Sequence, residues 1–82
     1  MKVLIVDDDP SNRKFLADAI GMVNCQVILA ETGLQAIGLA KQELPDLILM
    51  DHTMPEMKGY DAMKEIRKEP NMIAVPCVMI TG

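Results

Sequence analysis

One run of apolar residues constrains the fold of this chain more than any other feature. The four residues from Leu47 to Met50 are all apolar, and Asp51 follows them directly. A strand with one solvated face would alternate apolar and polar residues, so an unbroken run indicates a strand covered on both faces, in the middle of a sheet. Such a strand carries Asp51 to the carboxyl edge of the sheet, where open parallel sheets bind their ligands.

Strand and helix patterns alternate along the chain in the order βαβαβαβ. The predicted strands are residues 3–6, 27–30, 47–50 and 76–81, and each is joined to the next through one helical segment. This alternation with short connections predicts an α/β fold with a parallel sheet, helices on both faces and right-handed crossovers.

The three predicted helices have recognisable starts and apolar sides. Asp9 and Pro10 match the N-cap and first position of the first helix, while Thr32 and Gln35 have the spacing of a capping box. Gly38, within the second helix, suggests a close approach to the sheet. Apolar residues at helical spacing predict the buried sides, which are Phe15, Leu16, Ala19, Ile20 and Val23 in the first helix (residues 10–23), Leu34, Ile37, Ala40 and Leu44 in the second, and Tyr60, Ala62, Met63 and Ile66 in the third.

Composition narrows the class of protein. The 82 residues carry a net charge of -4 and no basic run, which argues against nucleic acid as a direct partner. The eight Met residues are interpreted as core filler, and Cys25 and Cys77 as reduced packing residues. Because no apolar stretch is long enough to cross a bilayer and no signal-peptide pattern is present, we expect a cytoplasmic protein.

Polar groups follow three of the predicted strands. Asp7 and Asp8 end the first, Asp51 the third and Thr81 the fourth. Parallel strands share a carboxyl edge, so these groups should converge, and three carboxylates repel one another unless a proton or a cation joins them. Hard oxygen ligands, with no His or Cys at ligand spacing, favour Mg²⁺ or Mn²⁺ over zinc. A carboxylate beside such an ion is a candidate phosphate acceptor.

Three segments resemble, in order, the receiver domain of two-component response regulators. They are Val6–Arg13, Leu49–Pro55 together with Gly59, and Val78–Gly82. The resemblance implies a flavodoxin-like sheet, incomplete here, with strand order 2-1-3-4. It also implies a phosphoprotein of a phosphorelay rather than an enzyme, with at most Mg²⁺-dependent self-phosphorylation and self-dephosphorylation.

The resemblance assigns a role to each polar group. Asp51 matches the phosphoacceptor that attacks a phosphohistidine on a sensor histidine kinase or phosphotransfer protein. Asp7 and Asp8 match the acidic pair that holds Mg²⁺, together with Asp51 and the backbone carbonyl of Thr53.

Two further roles fall on the last two residues. Thr81 matches the switch hydroxyl, and Gly82 the small residue that leaves room for the phosphoryl group. A complete receiver continues through a fourth helix, a fifth strand with an invariant lysine and a fifth helix. We therefore expect residues 1–82 to be the N-terminal portion of a receiver, with impaired phosphorylation and an exposed fourth strand open to self-association.

Two other classes of protein remain open. One is a non-catalytic assembly or dimerisation module that keeps only the fold. The other is a haloacid-dehalogenase-type phosphotransferase with Asp7 as nucleophile, suggested by the spacing of Asp7 and Asp9, although the later lysine and acidic motifs of that family are missing.

Overall fold

The alternating pattern folds into a four-stranded parallel sheet. A computed structural model of the chain describes residues 1–21 and 24–80. The elements in this part of the chain are β1 (Lys2–Val6), α1 (Pro10–Gly21), β2 (Gln26–Ala30), α2 (Gly33–Glu43), β3 (Leu47–Asp51), α3 (Gly59–Ile66) and β4 (Cys77–Ile80), with a 3₁₀ turn over Pro70–Met72. The strand order is β2-β1-β3-β4, and all neighbouring strands are parallel. This confirms the predicted α/β class and the flavodoxin-like order.

The apolar run of β3 lies in the middle of the sheet, as its sequence predicts. Val6 of β1 is paired with Met50, and Asp51 is paired with Ile80 of β4. Ile48 and Met50 are fully buried. Burial on this scale is the main stabilising contribution in a domain of this size, at roughly 25 cal/mol per Å² of apolar surface removed from water.

The main core lies between one face of the sheet and the helices α2 and α3. Alternate residues of a strand point to opposite faces, so one face collects every second side chain of β1 and β3. The buried members of this core are Leu4, Val6, Ala30, Ala36, Ala40, Ile48, Met50, Met54, Ala62, Met63, Ile66 and Met72.

The opposite face of the sheet is covered by α1 alone, within the described residues. Val3 and Ile5 are buried there, and α1 contacts β1 and β2. The apolar side predicted for the first helix is only partly buried: Leu16 and Ile20 are half-buried, but no described residue of α1 is fully buried, and Phe15 is 71% exposed. One helix of this length spans only part of a four-stranded face, so Phe15 lies beyond the strands that α1 contacts. Val23, also assigned to that side, lies outside the described residues.

The start of α2 confirms Thr32 as the N-cap but only half of the predicted capping box, because the Gln35 side chain bonds one residue before the N-cap. The Thr32 Oγ1 atom accepts a hydrogen bond from the Gln35 backbone N–H at 3.1 Å, and the Gln35 side chain accepts one from the Glu31 N–H at 2.8 Å. The bond to Thr32 satisfies one of the amide groups that a helix start leaves without partners, and the bond from Glu31 ties the preceding residue to the first turn.

The buried side of α2 differs from the prediction. Gly33, Ala36 and Ala40 are buried, whereas Leu34 and Leu44 are exposed. Small residues four apart allow α2 to lie close to the sheet and to α3, so the larger Leu34 turns to solvent. Other predicted members hold: Ile37 packs against the core.

Gly38 does not make the close approach that its position suggested. It is exposed, and a Cβ added there would meet nothing within 4 Å. The close approach occurs at the start of α3, where Gly59 lies against the backbone of β3. In α3 itself Ala62, Met63 and Ile66 are buried as predicted, but Tyr60 is exposed.

The segment between α3 and β4 is held by Arg67. Its Nη1 atom donates hydrogen bonds to the carbonyl groups of Met72 at 2.6 Å, Ile73 at 3.1 Å and Val75 at 2.5 Å. β4 begins at Cys77, one residue after the predicted start at Pro76. Its predicted end at Thr81 lies outside the described residues.

Two smaller findings bear on the composition argument. Cys25 and Cys77 are free and half-buried. Among the residues described, no helix has the length and apolarity needed to span a membrane.

Candidate functional site

Three carboxylates meet where β1 and β3 end side by side. Because Val6 and Met50 are register partners, Asp7 and Asp51 occupy equivalent positions one residue further along, and Asp8 follows in the adjoining loop. One carboxylate oxygen from each of Asp7, Asp8 and Asp51 lies within 4.8 Å of the others. The convergence expected from the strand ends is therefore present for the three aspartates, while Thr81, the fourth group, lies outside the described residues.

Asp7 is held by hydrogen bonds to β2, to the following loop and to α1. It is buried, its N–H donates to the Ala30 carbonyl at 3.1 Å, and its Oδ1 accepts from the Asp9 N–H at 2.9 Å. The Asp7 carbonyl accepts a hydrogen bond from Arg13 Nη1 at 2.8 Å. These contacts join the residue that follows β1 to β2, to the loop and to α1.

Asp9 starts α1 in the way its sequence predicts. Its Oδ1 accepts from the Ser11 N–H at 2.9 Å, and its carbonyl accepts from the Arg13 N–H at 3.0 Å. Asp9 therefore serves the helix, and it is not one of the three converging carboxylates. Asp8 is exposed and can turn to a ligand that approaches from solvent.

Asp51 is 7% exposed and lies at the bottom of the acidic pocket. Its Oδ1 accepts a hydrogen bond from the Thr53 backbone N–H at 3.0 Å. Burial raises the pKa of the Asp51 carboxyl above its ordinary value; the hydrogen bond from Thr53 opposes this, and the negative charges of Asp7 and Asp8 add to it. Ionisation of Asp51 is therefore unfavourable for two reasons: the buried carboxylate loses solvation, and it lies beside two other negative charges.

This donor set fits a hard divalent cation. Three carboxylates within reach of a single ion supply oxygen ligands alone, which is the chemistry that Mg²⁺ and Mn²⁺ prefer. A dication would also remove the repulsion that raises the pKa of Asp51.

A protein-family model described as the response regulator receiver domain matches residues 3–82. The chain belongs to this family. PilH from Pseudomonas aeruginosa is 36% identical over 80 residues, which cover 98% of this chain and 66% of PilH. A protein named "Probable transcriptional regulator ycf27" from Guillardia theta is 42% identical over 81 residues, covering 99% of this chain and 31% of that protein. The chain thus spans between about a third and two thirds of these relatives.

Solved receiver structures have the same fold. The response regulator domain of Thermotoga maritima CheB matches with a TM-score of 0.88 and 34% identity, over 99% of this chain and 60% of that one. The receiver domain of the sensor histidine kinase PA1611 from Pseudomonas aeruginosa matches with a TM-score of 0.90 and 33% identity, over 95% of this chain and 64% of that one. That structure has a magnesium ion coordinated in its active-site cleft.

The remaining residues singled out from the receiver motifs divide into three groups. Thr53 is exposed, with its N–H directed at Asp51. Gly59 packs against the β3 backbone and donates its N–H to the His52 carbonyl at 3.1 Å. Thr81 and Gly82 lie outside the described residues, so their roles remain predictions.

One residue of this receiver site was missed by sequence reasoning. Arg13 is the last residue of the first motif, Val6–Arg13, but no role was predicted for it from the sequence. The structure directs its guanidinium back to the end of β1. Its position, one turn into the helix that follows three consecutive aspartates, is the sequence signal that could have identified it.

Proposed function

We propose that the chain accepts a phosphoryl group on Asp51 from a phosphohistidine of a sensor histidine kinase or phosphotransfer protein. In this transfer an Asp51 oxygen forms a bond to phosphorus, the bond from phosphorus to the imidazole nitrogen breaks, and that nitrogen takes up a proton from water. The observation that carries the proposal is the meeting of the Asp7, Asp8 and Asp51 carboxylates within 4.8 Å in a receiver fold. A cytoplasmic location is part of the same proposal.

The metal ligands in this proposal are Asp7, Asp8, Asp51 and the backbone carbonyl of Thr53. A bound Mg²⁺ or Mn²⁺ supplies positive charge where the phosphoryl oxygens gather. The magnesium ion in the PA1611 receiver domain supports this assignment.

Residues of the chain itself orient the acceptor. The Thr53 N–H holds Asp51 Oδ1 at 3.0 Å and so fixes the rotation of the carboxylate. Gly59 leaves no side chain between α3 and the β3 carbonyl groups, so the loop can close around the acceptor. Thr81 as switch hydroxyl and Gly82 as the residue that gives the phosphoryl group room complete the proposal.

Incubation with a small phosphoryl donor such as acetyl phosphate, with and without Mg²⁺, tests this function. The expected result is a Mg²⁺-dependent increase in intact mass by one phosphoryl group, reversed by hydroxylamine and lost in Asp51→Asn. Labelling that survives Asp51→Asn and maps to Asp7 would instead support the haloacid-dehalogenase mechanism. The family match to the receiver domain argues against that mechanism.

A second candidate function is assembly, favoured by the edge of the sheet. The carbonyl groups of Pro76 and Ile80 accept hydrogen bonds from the N–H groups of Ile48 and His52. In a parallel ladder the alternate residues, Cys77 and Met79, direct their backbone groups away from β3. We propose that this edge pairs with the same edge of a second copy about a twofold axis.

A further inference from the structure

Within the described residues, Arg13 is the one cationic side chain that hydrogen-bonds to any of Asp7, Asp8 and Asp51. Its side chain is only 14% exposed, although α1 otherwise faces solvent along much of its length. The Nη1 atom donates to the Asp7 carbonyl at 2.8 Å. A largely buried arginine that is directed at a carbonyl next to a proposed metal site requires a reason beyond the surface charge of a helix.

The contact acts on the peptide group that joins the two aspartates. Asp7 is buried, and a buried carbonyl at the end of a strand needs a donor. Arg13 supplies it, and thereby fixes the plane of the peptide between Asp7 and Asp8. The direction in which Asp8 leaves the strand follows from that plane.

We propose that Arg13 is a positioning residue of the metal site, which holds the Asp7–Asp8 peptide so that both carboxylates reach the ion bound by Asp51. This rests on the proposed function, because it assigns a role toward the metal in that function. Groups that orient metal ligands typically change metal affinity by about 10- to 100-fold when they are removed.

The direction in which metal affinity changes when Arg13 is removed distinguishes a positioning role from a purely electrostatic one. Arg13 is positive, so if it acted only through Coulomb repulsion of a cation, its removal would tighten metal binding. If it positions Asp7 and Asp8, its removal weakens binding. The two accounts therefore predict changes in opposite directions.

A second contact of Arg13 provides the control. Its Nη2 atom lies 3.7 Å from Glu31 Oε1, and the Glu31 side chain is 66% exposed. Exposed pairs of this kind contribute little. Glu31→Gln removes this pair and leaves the hydrogen bond to Asp7 in place.

Arg67 provides a control for fold stability. It is the other arginine of the chain, and its guanidinium donates to the carbonyl groups of Met72, Ile73 and Val75, none of which is among the three converging carboxylates. Arg67→Met should lower the temperature of unfolding without changing metal affinity.

The experiment measures Mn²⁺ binding to the folded 82-residue chain by the loss of the free-ion electron paramagnetic resonance signal, with Mg²⁺ as competitor. We expect Arg13→Met to bind Mn²⁺ about tenfold more weakly than wild type, with Arg13→Lys between the two. Glu31→Gln and Arg67→Met should stay within about twofold of wild type, since neither touches the Asp7 carbonyl.

Two results would overturn the role of Arg13 and are distinguishable from each other. Equal or tighter binding by Arg13→Met, with wild type binding normally, removes the positioning role and leaves the proposed function standing. Absence of Mn²⁺ binding by wild type removes both.

A measurement on the wild-type chain covers the case in which Arg13→Met does not fold. The two arginines give two guanidinium Nε–H signals in a ¹⁵N-resolved NMR spectrum. Mg²⁺ should shift the Arg13 signal and slow its hydrogen exchange, and leave the Arg67 signal unchanged. An unchanged Arg13 signal at metal concentrations that shift the Asp7 and Asp8 amide signals would contradict the proposal.

Discussion

A Cβ atom added to Gly59 would lie 2.6 Å from the backbone carbonyl oxygen of Asp51. It would also lie 2.8 Å from Met50 Cγ and 3.1 Å from His52 Cα. Two of these three neighbours are backbone atoms, one in the last residue of β3 and one in the residue that follows it, so neither can move aside alone. The start of α3 can therefore lie this close to the end of β3 only because residue 59 has no side chain.

Gly59→Ala should destabilise the protein and disturb the site together. Overpacking of this kind costs about 1–3 kcal/mol, measured as a lower midpoint of urea unfolding. Gly38→Ala is the matched control: Gly38 is exposed in α2 with open space at its Cβ, and Ala there should stabilise by about 1 kcal/mol. Equal effects at the two positions would contradict the packing argument.

Asp51→Asn should stabilise the metal-free protein at neutral pH. Burial first, and then the charges of Asp7 and Asp8, raise the pKa of Asp51 above its ordinary value of 3.8 in the folded state. The folded protein therefore binds this proton more tightly than the unfolded chain, and the stability it contributes is present below pH 3.8 and lost as pH rises through the folded pKa.

The gain from Asp51→Asn should therefore grow from acid toward pH 7, measured by thermal unfolding at a series of pH values. Glu56→Gln, an exposed loop carboxylate, is the control and should change stability little. A variant less stable than wild type at pH 7 would refute the prediction.

Mg²⁺ should raise the temperature of unfolding, because a ligand that binds only the folded state stabilises it by mass action. At a hundred times the dissociation constant the gain is about 2.7 kcal/mol. Asp7→Asn should abolish the response, and NaCl at equal ionic strength should not reproduce it. No shift with Mg²⁺ in wild type would favour the assembly module that keeps only the fold.

Leu44→Gly should stabilise the end of α2. Leu44 has φ 50° in the left-handed region, its N–H donates to the Ala40 carbonyl at 3.1 Å, and it is 47% exposed. Glycine adopts this conformation without the penalty of a Cβ, so we expect a gain of about 1 kcal/mol in unfolding free energy. Leu34→Gly, at an exposed position inside the same helix, should instead lose about 1 kcal/mol.

Val78→Lys should weaken self-association through β4. Val78 is 50% exposed, and a charge on an edge strand opposes pairing with another edge. Sedimentation velocity at increasing concentration should show association of wild type and its reduction in the variant. Ile73→Lys, exposed but outside the strand, is the control. A wild type that stays monomeric at high concentration would contradict the proposed pairing.

Structural features that depend on residues close together in the sequence could be predicted. Thr32 caps α2 and Asp9 caps α1 because the groups that bond are within a few residues of each other. The unbroken run from Leu47 to Met50 predicted a strand inside the sheet, and β3 lies between β1 and β4.

Burial on the helices could not be predicted in the same way. Helical spacing shows which side chains share a side, but not how far the opposing surface extends. Phe15 is exposed because α1 covers only part of its face of the sheet, and Leu34 because Ala36 and Ala40 form the contact instead.

By itself the sequence determined the order of strands and helices, the N-caps of the first two helices, and the polar residues that follow three of the strands. Only the tertiary structure decided that Arg13 holds the Asp7 carbonyl, that Gly59 and not Gly38 makes the close approach, and that burial and neighbouring charge raise the pKa of Asp51. The physical reason is range: caps and strand patterns depend on adjacent residues, whereas packing, desolvation and charge interactions depend on distances across space between segments far apart in the chain.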